Sequence, residues 1–162
     1  MDYYNETAKN YNELHGEEQI TKAHIIKKEI LKKKSSGLLL DIGGGTSIAT
    51  EMFLEYFECT LVDPSEELLD QAPESMVKIL ASAEELPFVD KKFDVIISLT
   101  ALHHANIEEA LKEIKRVAKS DALIAVSFLK ASKKLEEFRK VFKEKYKTRE
   151  IEEVKDMIFF NF

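Results

Sequence analysis

Leu38-Leu39-Leu40-Asp41-Ile42-Gly43-Gly44-Gly45-Thr46-Ser47 decides how the rest of the chain is read. Its first half is apolar on consecutive positions, as in a strand covered by helices on both faces. It then runs into consecutive glycines, which let the backbone turn sharply and let a ligand approach it closely. A helix is expected to begin near Ser47, with its first amides facing electron-rich groups of that ligand. Several nucleotide-binding folds carry a glycine-rich turn here, and two details separate them. In the dinucleotide fingerprint a third glycine or alanine follows three positions after the second, for close helix-strand packing, and here Ile48 stands there. Asp41 precedes the first glycine by two positions, badly placed beside a pyrophosphate but well placed for an ammonium group or an ordered water. The turn favours a cationic, phosphate-free ligand.

Outward from that strand, short apolar runs alternate with amphipathic segments. The runs are Thr60-Leu61-Val62, Val77 to Leu80, Phe93 to Ile97 and Leu123 to Phe128. Between them, Asn106 is a plausible N-cap, with Glu108 and Glu109 opposing the positive end of the helix dipole. Ile107, Ala110, Leu111, Ile114, Val117 and Ala118 then form one apolar stripe, and Lys115, Arg116 and Lys119 lie near its C-terminal end. A later stripe runs through Leu135, Phe138, Phe142 and Tyr146. This alternation predicts an α/β fold, a mostly parallel sheet with right-handed crossovers and helices on both faces. Thr148 to Val154, Lys155-Asp156 and Met157 to Phe162 read as a closing antiparallel hairpin.

The second strand is expected to end at Asp63. A carboxylate at that strand end can accept two hydrogen bonds from ribose hydroxyls. Asp63-Pro64-Ser65-Glu66-Glu67 also opens a helix, so Asp63 could instead serve as an N-cap, although Ser65 is the better cap.

Composition sets the outer bounds. The chain has 162 residues, 44% hydrophobic and 33% charged, and a formal charge of -6. That is the size and mixture of one globular domain, expected here as residues 1–162, with an N-terminal helical segment over 1–36 and an α/β core over 37–162. No run approaches membrane-spanning length, and the N-terminus lacks the basic start and apolar centre of a signal peptide. The lone Cys59 cannot form an internal disulfide, and with these signals the expected compartment is the cytoplasm. The acidic balance does not attract phosphate backbones, so nucleic acid is not indicated; the lysine clusters at Lys27 to Lys34 and Lys130 to Lys147 read as solvated helix faces. No histidine or carboxylate cluster has metal-ligand spacing.

Together these residues resemble the class I S-adenosylmethionine-dependent methyltransferases, most nearly the group that includes the ubiquinone/menaquinone C-methyltransferases. Leu38 to Thr46 looks like the family's first motif and Val62-Asp63-Pro64-Ser65 like its ribose-binding strand end. Ala81-Ser82-Ala83-Glu84-Glu85-Leu86-Pro87-Phe88 is similar to the segment edging the adenine. Phe93 to Ser98, followed by Ala101-Leu102-His103-His104, resembles the fourth strand and the loop facing the methyl group. The resemblance implies a Rossmann-like, seven-stranded sheet with the last strand antiparallel, and S-adenosyl-L-methionine as cofactor, with S-adenosyl-L-homocysteine as product. It implies Asp41, Gly43 and Gly45 against the methionine part, Gly44 and Leu99 elsewhere in the cofactor site, Asp63 on the ribose, Pro64 on an adenine face, and Ser82 and Ala83 at the adenine edge. Ser82 stands where the family commonly has an acidic residue, and a neutral acceptor makes the weaker bond. Lys119-Ser120-Asp121-Ala122 replaces the family's lysine-proline-glycine-glycine turn, a connection far from the chemistry.

Methyl transfer from a sulfonium is an in-line displacement that depends chiefly on positioning in a dry site, so no catalytic triad is required. His103 is the candidate general base, with His104 beside it, and both could equally buttress the next helix. Tyr11 and His15-Gly16 precede a helix expected from about Glu17 to Lys34. They could fold over the cofactor as a lid, or with Tyr3 and Tyr4 they could pack that helix. The resemblance argues against methylation of adenine, cytosine or glutamine amides, because Ser98-Leu99-Thr100-Ala101 replaces Asn-Pro-Pro or Asp-Pro-Pro. No insertion roofs the substrate side, so an open active face is expected. That face suits a macromolecular acceptor, or is completed by a protein partner or second subunit, although a small molecule stays possible as acceptor. The readings left are a methyltransferase of unidentified acceptor, a nonenzymatic cofactor-binding subunit that needs or supports a partner, and an NAD-binding oxidoreductase, the last disfavoured by Ile48 and Asp41.

Overall fold

The computed structural model describes residues 3–162, with side chains from Gly16 onward. A long helix α1 (Tyr3–Leu31) leads into β1 (Leu38–Ile42), β2 (Glu58–Asp63), α2 (Glu66–Asp70), β3 (Val77–Leu80), β4 (Phe93–Leu99), α3 (Ile107–Val117), β5 (Ala118–Leu129), α4 (Leu135–Lys145), β6 (Arg149–Glu152) and β7 (Asp156–Phe160). The strands form one seven-stranded sheet in the order β3-β2-β1-β4-β5-β7-β6. β1 pairs in parallel with β2 and β4, and the parallel run continues to β3 and β5. The closing hairpin inserts β7 antiparallel to both β5 and β6. This is the mostly parallel α/β sheet expected from the alternation of apolar runs, with the seven strands and antiparallel last strand that the resemblance implies.

Strand alternation sorts the core onto two faces. Leu40, Ile42, Ile96 and Ile124 point to the face covered by α3 and α4. Their neighbours Leu39, Val95, Ile97 and Leu123 point to the other face, under Ala23, Ile26 and Ile30 of α1 and under Phe53 and Phe57. Phe138 of α4 lies at the centre of the first core, with its ring centroid 4.7 Å from Phe128, 5.0 Å from Phe159 and 5.5 Å from Phe142. The expected caps form: Asn106 accepts from the Glu109 amide, and Ser65 accepts from the Leu68 amide.

Local readings change at four places. α1 begins at Tyr3, well before Glu17, and runs through His15-Gly16 to Leu31; buried packing of Ala23, Ile26 and Ile30 fixes its later turns. No α-helix begins near Ser47. That residue adopts φ 76, a left-handed conformation that interrupts helical propagation, and only a 3-10 turn over Thr50–Phe53 follows. Ala118 does not extend the α3 stripe but starts β5, pairing with Phe93 ahead of a register shift. Lys119-Ser120-Asp121-Ala122 is therefore extended strand rather than a free connection, with Lys119 held by an ion pair to Asp94 at 2.9 Å.

Phe138 is fully buried in an aromatic cluster, so Phe138→Ala is expected to destabilise the fold by about 3–5 kcal/mol. Urea unfolding followed by circular dichroism measures this, and a loss below about 1 kcal/mol would show that the cluster collapses around the cavity.

Candidate functional site

The C-terminal ends of β1, β2, β4 and β5 gather on one edge of the sheet, where open α/β folds bind ligands. β1 leaves the sheet at Gly43, whose amide donates to the Val62 carbonyl at 2.8 Å. Gly43 has φ 72, and a Cβ there would lie 2.4 Å from Cβ of Ala101. A Cβ on Gly44 would lie 2.1 Å from Cδ1 of Leu61. These glycines are thus demanded first by the protein's own packing: β1 turns directly beneath the loop after β4.

Asp63 fastens this turn to the next strand end. Its Oδ2 accepts from the Gly45 amide at 3.0 Å and its Oδ1 from the Ser65 amide at 2.8 Å. Burial raises its pKa, and the Ser65 and Gly45 amides pull in the opposite direction. Each oxygen retains a further lone pair, so the carboxylate can bridge these amides and still accept from a ligand. Pro64 beside it is exposed, and Ser82 and Ala83 are partly buried.

Asp41 is buried, with 1% exposure. Its Oδ2 accepts from Thr50 Oγ1 at 2.5 Å, while Oδ1 accepts no hydrogen bond among the described residues. Burial raises its pKa to about 7; the Thr50 hydrogen bond opposes that, and the nearby Asp63 charge adds to it. A buried acceptor without a donor leaves room for either partner expected at this position, a ligand ammonium group or an ordered water. Gln19 of α1, Gly43, Gly44, Ile48, Ala49 and Leu99 close around Asp41 and leave a cavity of about 10 Å³. Gln19 of the long α1 borders the glycine turn on the cofactor side. Tyr11, the proposed lid residue, lies outside the described side chains.

The segment from Ala81 to Phe88 is clamped by α3, which the sequence reading missed. Arg116 donates to the carbonyls of Phe88 at 2.7 Å and Leu86 at 2.9 Å, while Glu113 accepts from the Leu86 amide at 2.8 Å. Arg116 and Glu113 also pair with each other at 2.7 Å. That hydrogen bond from Arg116 is the main reason the Glu113 pKa is lowered, with burial opposing it. The signal was an i,i+3 Glu-Arg pair on a helix facing a loop of backbone groups without strand partners.

Beyond β4, Thr100 has φ 50, a strained conformation for a β-branched residue. Its amide donates to the Ser127 carbonyl and hydroxyl, each at 3.0 Å. Its hydroxyl donates to Asp156 Oδ2 and accepts from Lys22 of α1. Lys22 and Asp156 form a buried ion pair at 3.0 Å, with side chains 7% and 1% exposed. The sequence signal was Lys22 within the buried stripe of Gln19, Ala23, Ile26 and Ile30. His103 follows in a short 3-10 turn, its ring tilted by 42° against His104 with centroids 3.9 Å apart, and its Nδ1 has no partner among the described residues. Burial lowers its pKa, with His104, Lys134 and Lys22 acting the same way and Asp156 opposing, which favours the neutral imidazole. Among the described residues no group of side chains could hold a metal ion, and no helix is long and apolar enough to cross a membrane.

The methyltransferase domain family model matches residues 40–126. An uncharacterised protein of Methanocaldococcus jannaschii is 37% identical over 127 residues, covering 75% of this chain and 48% of its own length. The chain thus spans about half the length of that relative. Among solved structures, a candidate S-adenosyl-L-methionine-dependent methyltransferase from Methanococcus maripaludis superposes with a TM-score of 0.82 at 16% identity, over 99% of this chain and 94% of that one. A candidate methyltransferase of Haloferax volcanii, in complex with the Trm112 methyltransferase activator, superposes with a TM-score of 0.70 at 16% identity, over 94% of this chain and 79% of that one. The chain belongs to the methyltransferase domain family, and S-adenosyl-L-methionine is the cofactor of this fold.

A carboxyl whose pKa is raised on folding adds stability below its unfolded value and loses it as pH rises through the folded value. The stability of wild type relative to Asp41→Asn is therefore expected to fall as pH rises from about 4 to about 7. Urea unfolding of both proteins across that range checks it, and a pH-independent difference would place the Asp41 carboxyl in contact with water.

Proposed function

We propose that this member of the methyltransferase domain family transfers the methyl group of S-adenosyl-L-methionine to an acceptor held beside the loop after β4. The observation that carries this reading is Asp41: a buried carboxylate with an unused oxygen at a glycine turn, the environment an amino-acid ammonium requires. In this reading Asp41 Oδ1 receives that ammonium, and Gly43, Gly44 and Gly45 give close backbone approach with Leu99 as the apolar wall. Asp63 accepts from the ribose hydroxyls while keeping the glycine turn in place. Pro64 covers one adenine face, and Ser82 and Ala83 meet the adenine edge on the segment clamped by Arg116. In this reading Gln19 of α1, which lines the same crevice, borders the bound cofactor.

The cofactor supplies an electrophilic methyl group on a sulfonium. The chain's own contribution is to hold the acceptor in line, exclude water and, for a protonated acceptor, take up a proton. His103 is suited to that last task, because burial favours its neutral form and its Nδ1 has no hydrogen-bond partner among the described residues.

A second reading, a cofactor-binding subunit completed by another protein, is favoured by the sheet edge. Val77 and Leu80 on edge strand β3 are each 57% exposed, an apolar border on a strand with open hydrogen-bonding positions. Cofactor binding without turnover on any acceptor, restored by an added protein, would select it.

Calorimetric titration with S-adenosyl-L-methionine and S-adenosyl-L-homocysteine, with NAD as control, tests the main reading. Both adenosyl ligands are expected to bind and NAD is not. Asp63→Ala is expected to weaken binding by about 1.5–3 kcal/mol, the scale of hydrogen bonds to a charged group. Unchanged affinity in a folded Asp63→Ala protein would remove Asp63 from the ribose.

A further inference from the structure

A groove of about 370 Å³ runs between α1 and the turn joining β6 to β7, with Glu17, Glu18, Lys22, Glu153, Lys155 and Asp156 among its lining. Its cations are already committed. Lys22 pairs with Asp156 at 3.0 Å, and Lys155 pairs with Glu18 at 2.8 Å. Glu17 and Glu153 have no cationic partner among the described residues. The lining therefore carries an excess of negative charge that internal pairs leave unmatched.

An acidic lining alone marks no site, since carboxylates on a surface are usually just solvated. Asp156 supplies the independent observation. It is 1% exposed, its Oδ2 takes both the Lys22 and the Thr100 hydrogen bonds, and its Oδ1 accepts none. Water does not reach that oxygen freely, and a buried carboxylate oxygen without a donor is uncommon in a finished structure. A ligand that brings hydrogen-bond donors and positive charge answers both features at once.

The position of the groove gives this a purpose. Thr100, hydrogen-bonded to Asp156, directly follows Leu99, which lines the crevice at Gly43 and Gly44. Ala101, the next residue, stands over Gly43. Asp156 of the groove is thus one hydrogen bond and one residue away from Leu99 of the cofactor crevice. The formal charge of -6 acts in the same direction, drawing cations toward the molecule.

We propose that this groove anchors the acceptor and selects a positively charged, hydrogen-bond-donating group, an alkylammonium or guanidinium, through Asp156 Oδ1 with Glu17 and Glu153. The inference rests on the methyltransferase reading and adds to it the chemical class of the acceptor. Lys22 has a positioning role: it keeps Asp156 Oδ2 occupied and ties α1 to Thr100, leaving Oδ1 as the vacant acceptor.

The test is calorimetric titration of the full chain at low ionic strength with putrescine and agmatine, with butanol as a neutral probe of similar length. Asp156→Asn removes the central group but leaves Lys22 buried without its counter-ion, so the deciding variant is Glu17→Gln combined with Glu153→Gln. Those two side chains are not buried, and the fold should tolerate their neutralisation. Wild type is expected to bind the amines and not butanol, and the double variant to bind them about tenfold more weakly, a loss that cancels at high salt. Amine affinity equal in wild type and double variant, or no amine binding at millimolar concentration, overturns the proposal. S-adenosyl-L-homocysteine titrated into the same samples separates the two readings. If it binds while amines do not, the groove assignment alone falls; if amines bind while it does not, the groove is a cation site and its role as acceptor site is overturned.

Discussion

The Asp63 carboxylate, accepting from the Gly45 and Ser65 amides, joins the end of β1 to the end of β2 and sets the sheet edge on which everything else is arranged. Without a side-chain acceptor at this point, two buried backbone amides at the tightest part of the fold would have no partner. With it, the glycine turn is held flat enough for Ala101 and Leu61 to pack against positions where no Cβ fits. The same carboxylate is the group proposed for the ribose, so the bonds that shape the turn also aim it.

Around that edge the chain buries charge that its cores elsewhere avoid. Asp41, Asp63 and the Lys22–Asp156 pair are all inaccessible or nearly so, and burying ionised groups opposes folding unless they are matched. The opposing stability comes from two continuous apolar cores, one on each face of the sheet. Local violations of good packing gathered at one edge are the expected mark of a site. Two of them, Asp41 and Asp156, leave one carboxylate oxygen unused, and both unused oxygens favour a cationic partner.

α1 connects these features physically. Gln19 covers the glycine turn, Lys22 reaches across to Thr100 and Asp156, and Ala23, Ile26 and Ile30 anchor the helix on the core. One element therefore has a firmly packed half and a half that touches both the crevice and the groove.

The sequence by itself determined the α/β class, the strand that carries the glycine turn, the antiparallel closing hairpin and the caps at Ser65 and Asn106. These depend on local signals: apolar runs, side-chain periodicity, and polar residues at helix starts, all encoded within a few neighbouring positions. It also singled out Asp41, because an acidic residue inside an apolar strand is visible without coordinates. Only the tertiary structure decided that Gln19 covers the turn, that Arg116 and Glu113 clamp the Ala81–Phe88 segment, and that Lys22 meets Asp156 across almost the whole chain. The same holds for the missing helix at Ser47, where Thr50 is drawn onto Asp41 and the backbone turns left-handed. Such contacts join residues far apart in sequence, or set a distant demand against a local preference, and the pattern of neighbours along the chain does not record them.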